Sequence, residues 1–177
     1  EKLLALFLRT LKEPAPPEPS VPLMVTDRDR YLQEYYFKYR KEHFWDEIPF
    51  SDPRLITLTV YADKLRFYFL QLVAPSPVAA EEAAEDVLAK AGANTEVFRF
   101  TVKSLFRLFR ESPLPAVIPV SAYIGENFVL NRKEMWEGDP YPEMIREKVA
   151  KARLNPTGSV ATDLKLVRPS GEKLSLS

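Results

Sequence analysis

The chain has 177 residues, enough for one sizeable domain and a small appendage, and its 46% hydrophobic content is that of a protein able to bury a core. Lys plus Arg and Asp plus Glu each total 25, so no excess charge favours nucleic acid or an anionic membrane as the main partner. The absence of cysteine excludes a disulfide framework, a thiolate nucleophile and a Cys-ligated metal within these residues.

In chain order, the apolar stretch Leu3 to Leu11 is far shorter than a membrane span and is followed by prolines rather than a small-residue cleavage site. It reads as a helix end, and the chain is expected to begin inside a longer protein or just after a removed leader. Pro14, Pro16, Pro17, Pro19 and Pro22 fix φ and remove donors, which predicts an extended linker or surface strap. Thr26 and Asp29 resemble a capping box, predicting a helix over 27–43 whose inward stripe is Leu32, Tyr36, Tyr39 and His43.

Four further segments repeat one helical stripe of apolar residues. They are Tyr61, Leu65, Tyr68, Phe69 and Leu72; Ala80, Ala84, Val87, Leu88 and Ala91; Phe98, Val102, Leu105, Phe106 and Phe109; and Val117, Val120, Ile124 and Phe128. Ser76 with Pro77 reads as N-cap and N1, Gly92 as a C′ stop and Asn94 as the next N-cap. A last helix should start at Asp139 and Pro140, turn Ile145, Val149 and Ala152 inward, and end before Asn155 and Pro156. After Gly158 the period becomes two: Leu164 and Leu166, a Pro169-Ser170-Gly171 turn, then Leu174 and Leu176, the pattern of a β-hairpin. The expected fold is mainly α, a compact array of about six helices followed by a short C-terminal β-hairpin. Its divisions are 1–22 as helix end and Pro-rich linker, 23–155 as a helical domain, and 156–177 as the hairpin.

The densest run of chemistry-bearing side chains is His43-Phe44-Trp45-Asp46 through Phe50, Asp52 and Arg54. Packing and capping explain it without catalysis: His43 lies on the stripe of the preceding helix, and Asp52-Pro53 is an N-cap followed by N1 proline. These seven residues are the candidate interaction or structural motif. Glu81, Glu82, Glu85 and Asp86 lie opposite the alanine stripe and read as a solvated face, with no glycine-kinked loop to gather oxygens for calcium. Arg99, Lys103, Arg107 and Arg110 form a basic row that reads as solvated, with docking of an acidic partner as the alternative. No phosphate-cradling glycine loop, nucleophile elbow or second histidine is present, so neither catalysis, a cofactor nor a metal is expected here.

The run His43 to Leu55, together with Glu96-Val97-Phe98-Arg99 and Tyr123 with Asn127-Phe128, resembles a helical domain of unknown function found N-terminal to TlpA/ResA-like thioredoxin domains of Gram-negative bacteria. Gly158, Ala161, Asp163-Leu164, Gly171 and Leu174-Ser175-Leu176 look like the opening hairpin of those thioredoxin domains. The resemblance implies a periplasmic or envelope-anchored thiol-disulfide oxidoreductase, whose cysteine pair this sequence does not contain. On that reading the chain is a non-catalytic accessory or interaction domain. Its partner is a downstream thioredoxin-like domain, with a further protein or a second copy as possible contacts and no membrane span. The alternative is an independent peptide- or glycan-binding helical module using exposed Phe44, Trp45 and Trp136.

Overall fold

The computed structural model describes residues 2–154, with side-chain environments through residue 151, and the strand segments Leu166–Val167 and Lys173–Leu174. Among the described residues there are seven α-helices: α1 (Leu3–Leu11), α2 (Arg28–Glu42), α3 (Thr59–Phe67), α4 (Pro77–Ala91), α5 (Thr95–Arg110), α6 (Pro119–Gly125) and α7 (Tyr141–Leu154). Single π-helical turns, Tyr68–Leu72 and Glu126–Leu130, extend α3 and α6. The two strand segments pair antiparallel, Leu166 opposite Leu174. The rest of the expected hairpin, with its turn at 169–171, lies outside the described residues.

The four repeated stripes all face one core, in which every one of their named residues is buried. α5 is the central element and shares its largest helix interface with α6, while α3 and α4 pack on its other sides. Gly125, where α6 gives way to its π turn, admits close approach: a Cβ there would collide with Val149 of α7 and press on Phe106 of α5. Within the core the Tyr61 hydroxyl and Thr101 Oγ1 share a 2.6 Å hydrogen bond, and Thr101 also donates to the Val97 carbonyl at 2.7 Å. Every buried hydroxyl of this cluster therefore has a partner.

Helix starts follow the caps read from sequence at Ser76, Asn94 and Asp52, whose side chains accept from Ala79, from Glu96 and Val97, and from Arg54 backbone N–H groups. Two details differ. α2 is capped by Asp27, which accepts from Arg30 N at 3.0 Å, rather than by Thr26, because a carboxylate nearer the first turn outcompetes the hydroxyl. Gly92 closes α4 with right-handed backbone, φ −59°, so it is no left-handed C′ residue.

α2 departs most from expectation. It buries no residue: Leu32, Tyr35 and Tyr39 are half-covered, and Tyr36 and Phe37 are exposed. Its aromatics stack along the helix instead, Tyr35 on Tyr39 and Tyr39 on His43 with ring centroids 4.1 Å apart in the latter pair. A tyrosine can do this because its hydroxyl keeps water or a carbonyl while its ring covers apolar surface. Tyr35 donates to the Pro17 carbonyl, Arg40 pairs with Glu13 at 2.7 Å, and Lys64 donates to the Lys12 carbonyl at 2.9 Å. The proline segment is thus a strap tied to α2 and α3, and α1 packs on α3 through fully buried Leu6.

Candidate functional site

The seven residues of the candidate motif separate into three groups. Phe44, Trp45 and Phe50 are buried, Trp45 with 3% exposure. Trp45 packs between Phe44, Phe50 and Tyr68, not on the α2 stripe, because the turns of 43–52 carry it under the π turn that ends α3. Its indole N–H closes no hydrogen bond of ordinary geometry. Burial pushes the Tyr68 phenol up, partly offset by the nearby indole N–H of Trp45.

His43 and Asp46 form a second group at the surface, Nδ1 to Oδ2 at 2.7 Å. Asp52 and Arg54 form the third: the guanidinium donates to the Asp52 carboxylate at 3.0 and 2.6 Å, and the Arg54 backbone N–H adds a third bond. The Arg54 side chain holds the Asp52 carboxyl down at about 2. Each polar pair closes on a near neighbour in sequence, as turn-fixing contacts do. Trp136 is buried as well, donating to the Phe128 carbonyl at 2.8 Å and stacked on Tyr141. The exposed aromatic surface of a glycan-binding module is therefore not formed by Phe44, Trp45 and Trp136.

The basic row of α5 divides. Arg99 donates to the carbonyls of Met135 and Glu137 at 2.6 and 3.1 Å, and Lys103 pairs with Asp139 at 2.9 Å while lying over Trp136 and Tyr141. These two side chains staple the 133–141 segment to α5 and are not a free basic face. Burial would raise Asp139, but the Lys103 hydrogen bond, the Tyr141 N–H and the charges of Lys103 and Arg99 outweigh it and hold the carboxyl below its usual value. On the acidic face of α4, Glu85 accepts from the Tyr123 hydroxyl in a very short hydrogen bond that, with burial, pushes the phenol up to about 12.

What the stripes did not reveal is a trough between α3 and α5. It holds about 520 Å³ and is lined on one side by Ala62, Arg66 and Leu70 and on the other by Phe100, Ser104 and Leu108. Each set recurs every fourth residue, so the two walls are single rows of side chains on adjacent helices. Leu70, on the π turn, is 44% exposed, and Phe100 and Leu108 are half-covered. A second hollow of about 230 Å³ continues it past Leu70, Leu108 and Ser112 toward Val73 and Pro75. The signal in the sequence was this second row of α5 beside the buried stripe. No group of metal-ligating side chains occurs among the described residues, and no helix among them is long and apolar enough to cross a membrane.

Set against known protein families, residues 9–115 match a domain of unknown function, DUF5106. The chain belongs to that family. The DUF5106 match runs from within α1 through α5 and so contains both walls of the trough, the strap and the aromatic run, while α6 and α7 fall beyond it. The expected resemblance thus narrows to a helical domain of unknown function; the link to thioredoxin domains is not carried by the match. Neither curated proteins nor solved structures give a match.

Proposed function

We propose that this DUF5106 chain is a non-catalytic interaction module that receives a helical segment of another protein in the trough between α3 and α5. The observation that carries this reading is the open apolar trough itself, beside charged clusters that are otherwise engaged. Asp52 with Arg54, His43 with Asp46, Arg99 with two carbonyls and Lys103 with Asp139 all serve local structure. An amphipathic helix laid between two helices is a common way to cover such a surface.

The finer reading makes the module an accessory domain of an envelope thiol-disulfide oxidoreductase. Its support is the likeness of the His43 to Leu55 run, Glu96-Val97-Phe98-Arg99 and Tyr123 with Asn127-Phe128 to the helical domain that precedes such thioredoxin domains, followed in the chain by the likeness of residues 156–177 to their opening hairpin.

Selection from a library of helix-forming peptides tests the module reading. Selected peptides should compete with one another and lose binding to Leu70→Asp, an exposed position whose change leaves the core intact, but keep binding to Leu4→Asp on the outer face of α1. Binders indifferent to Leu70→Asp, or a library that yields none, would contradict it.

A further inference from the structure

We propose that the helix received by the trough is acidic on both flanks of its apolar ridge; this rests on the reading of the chain as an interaction module. Two walls of one trough carry cations: Arg66 on α3, and Lys103 and Arg107 on α5, against a single carboxylate, Glu111. Lys103 is neutralised by Asp139, and Glu111 is paired with Arg110 at 3.0 Å. Arg66 and Arg107 form no ion pair among the described residues, and both are exposed. The trough therefore presents an apolar floor between two uncompensated guanidinium groups, one on each wall.

A guanidinium binds carboxylate through a planar fork of donors, and a desolvated apolar contact beside it raises the gain from pairing. A docked helix carries its apolar residues at spacings of three and four, with polar positions on either side that fall opposite the two walls. Glutamates there meet Arg66 on one flank and Arg107 on the other. From Ala62 on α3 to Val73 at the end of the second hollow the wall runs roughly 16 Å, about three turns of a partner helix. A fatty acid fits less well, because it offers one carboxylate to two separate walls and small-molecule sites enclose most of their ligand, whereas this trough is open at Leu70.

The chain's own segments have the wrong charge. The exposed leucines of α1 are accompanied by Arg9 and by no acid within the helix, with Glu1-Lys2 before it and Lys12-Glu13 after it. Residues 155–177 contain Lys165, Arg168 and Lys173 against Asp163 and Glu172, a net of 3 − 2 = +1. The acidic face of α4 has its apolar stripe already buried against α5 and α6. None of these segments joins an apolar ridge to flanking acids, so the helix that the trough receives is a segment other than these.

The test uses two labelled, helix-stabilised peptides of about 14 residues, a span of roughly 21 Å. Both carry one leucine ridge; one is flanked by Glu, the other by Lys. Titrated into the whole chain by fluorescence anisotropy at low salt, the Glu peptide should bind at least about tenfold tighter, with the advantage shrinking as salt rises. The double variant Arg66→Glu/Arg107→Glu, at exposed positions, should reverse the preference, and Leu70→Asp should weaken both peptides. Equal affinities that still depend on Leu70 would overturn the acidic partner and leave the module reading standing. A preference that survives the charge reversal, or displacement of the Glu peptide by stoichiometric laurate, would also overturn it. Absence of any Leu70-dependent binding would overturn both.

Discussion

The Tyr61 hydroxyl, on α3, and Thr101 Oγ1, on α5, meet at 2.6 Å inside the core, and this bond joins the two helices beneath the trough. Burial pushes the Tyr61 phenol well above its ordinary value, so it is neutral at any ordinary pH and remains a hydrogen-bonding group. Thr101→Val removes its partner at nearly constant volume and leaves a buried hydroxyl unpaired, which should cost about 1–3 kcal/mol. Tyr61→Phe leaves Thr101 still bonded to the Val97 carbonyl and should cost less, about 0.5–1.5 kcal/mol. Urea unfolding of both variants gives the order; a larger loss for Tyr61→Phe would show that the bond is not the stabilising feature.

Trp45→Ala should destabilise by about 3–5 kcal/mol, as expected for an aromatic ring deleted from among Phe44, Phe50 and Tyr68. Trp45→Phe keeps ring contacts and removes an indole N–H that closes no hydrogen bond of ordinary geometry, so its cost should be clearly smaller. Equal losses in denaturant midpoint for the two changes would mean that the indole N–H has a partner after all.

Two glycines act for different reasons. Gly125→Ala forces a methyl into the junction of α6 with Val149 and Phe106, an overpacking expected to cost about 1–3 kcal/mol. Gly138 has φ +74° with open space around a built Cβ, so Gly138→Ala meets backbone strain alone, roughly 1 kcal/mol. Gly125→Ala should therefore lower the melting temperature more than Gly138→Ala, and the reverse order would contradict the close approach of α6 and α7.

Acid should loosen the Asp139 staple and the Asp52 turn. Both carboxyls have folded-state values below the unfolded one, so their contribution is complete above the unfolded pKa of about 4 and is lost as pH falls toward the folded value, about 2 for Asp52. Asp139→Asn should lower stability at pH 7 and reduce the further loss between pH 5 and pH 2. Urea midpoints across that range check it; parallel curves for the variant and the parent would exclude the Lys103–Asp139 contribution.

A chain without cysteine has no thiolate to attack a disulfide, so the purified protein should not accelerate insulin reduction by dithiothreitol. A rate above that of the reagent would contradict the requirement for a thiolate.

The helices from α3 to α6 were legible because their apolar residues recur at helical spacing and all turn to one core. Caps at Ser76, Asn94 and Asp52 were legible because a short polar side chain before proline or an acidic first turn has few other uses. α2 was misread because tyrosine is apolar in a periodic count yet can sit half-exposed with its hydroxyl satisfied, as Tyr35 does on Pro17. The basic row of α5 was uniform in sequence and divided in space, since nothing in the order of residues says that the 133–141 segment returns to Arg99 and Lys103. The π turns at Tyr68–Leu72 and Glu126–Leu130 carry no sequence signature, and one of them sets the exposed position of Leu70. The trough was hidden for the same reason: Ala62, Arg66, Leu70 and Phe100, Ser104, Leu108 become two facing walls only once α3 is known to lie beside α5.

Amide chemical-shift mapping of the whole chain with the Glu-flanked peptide locates the docked helix directly. With a helix seated in the trough, the largest changes concentrate at 62–75 and 100–114, on the two walls and the hollow that extends them. Changes concentrated instead on the leucines of α1 or the aromatic ladder of α2, with the α3 and α5 walls silent, would contradict it.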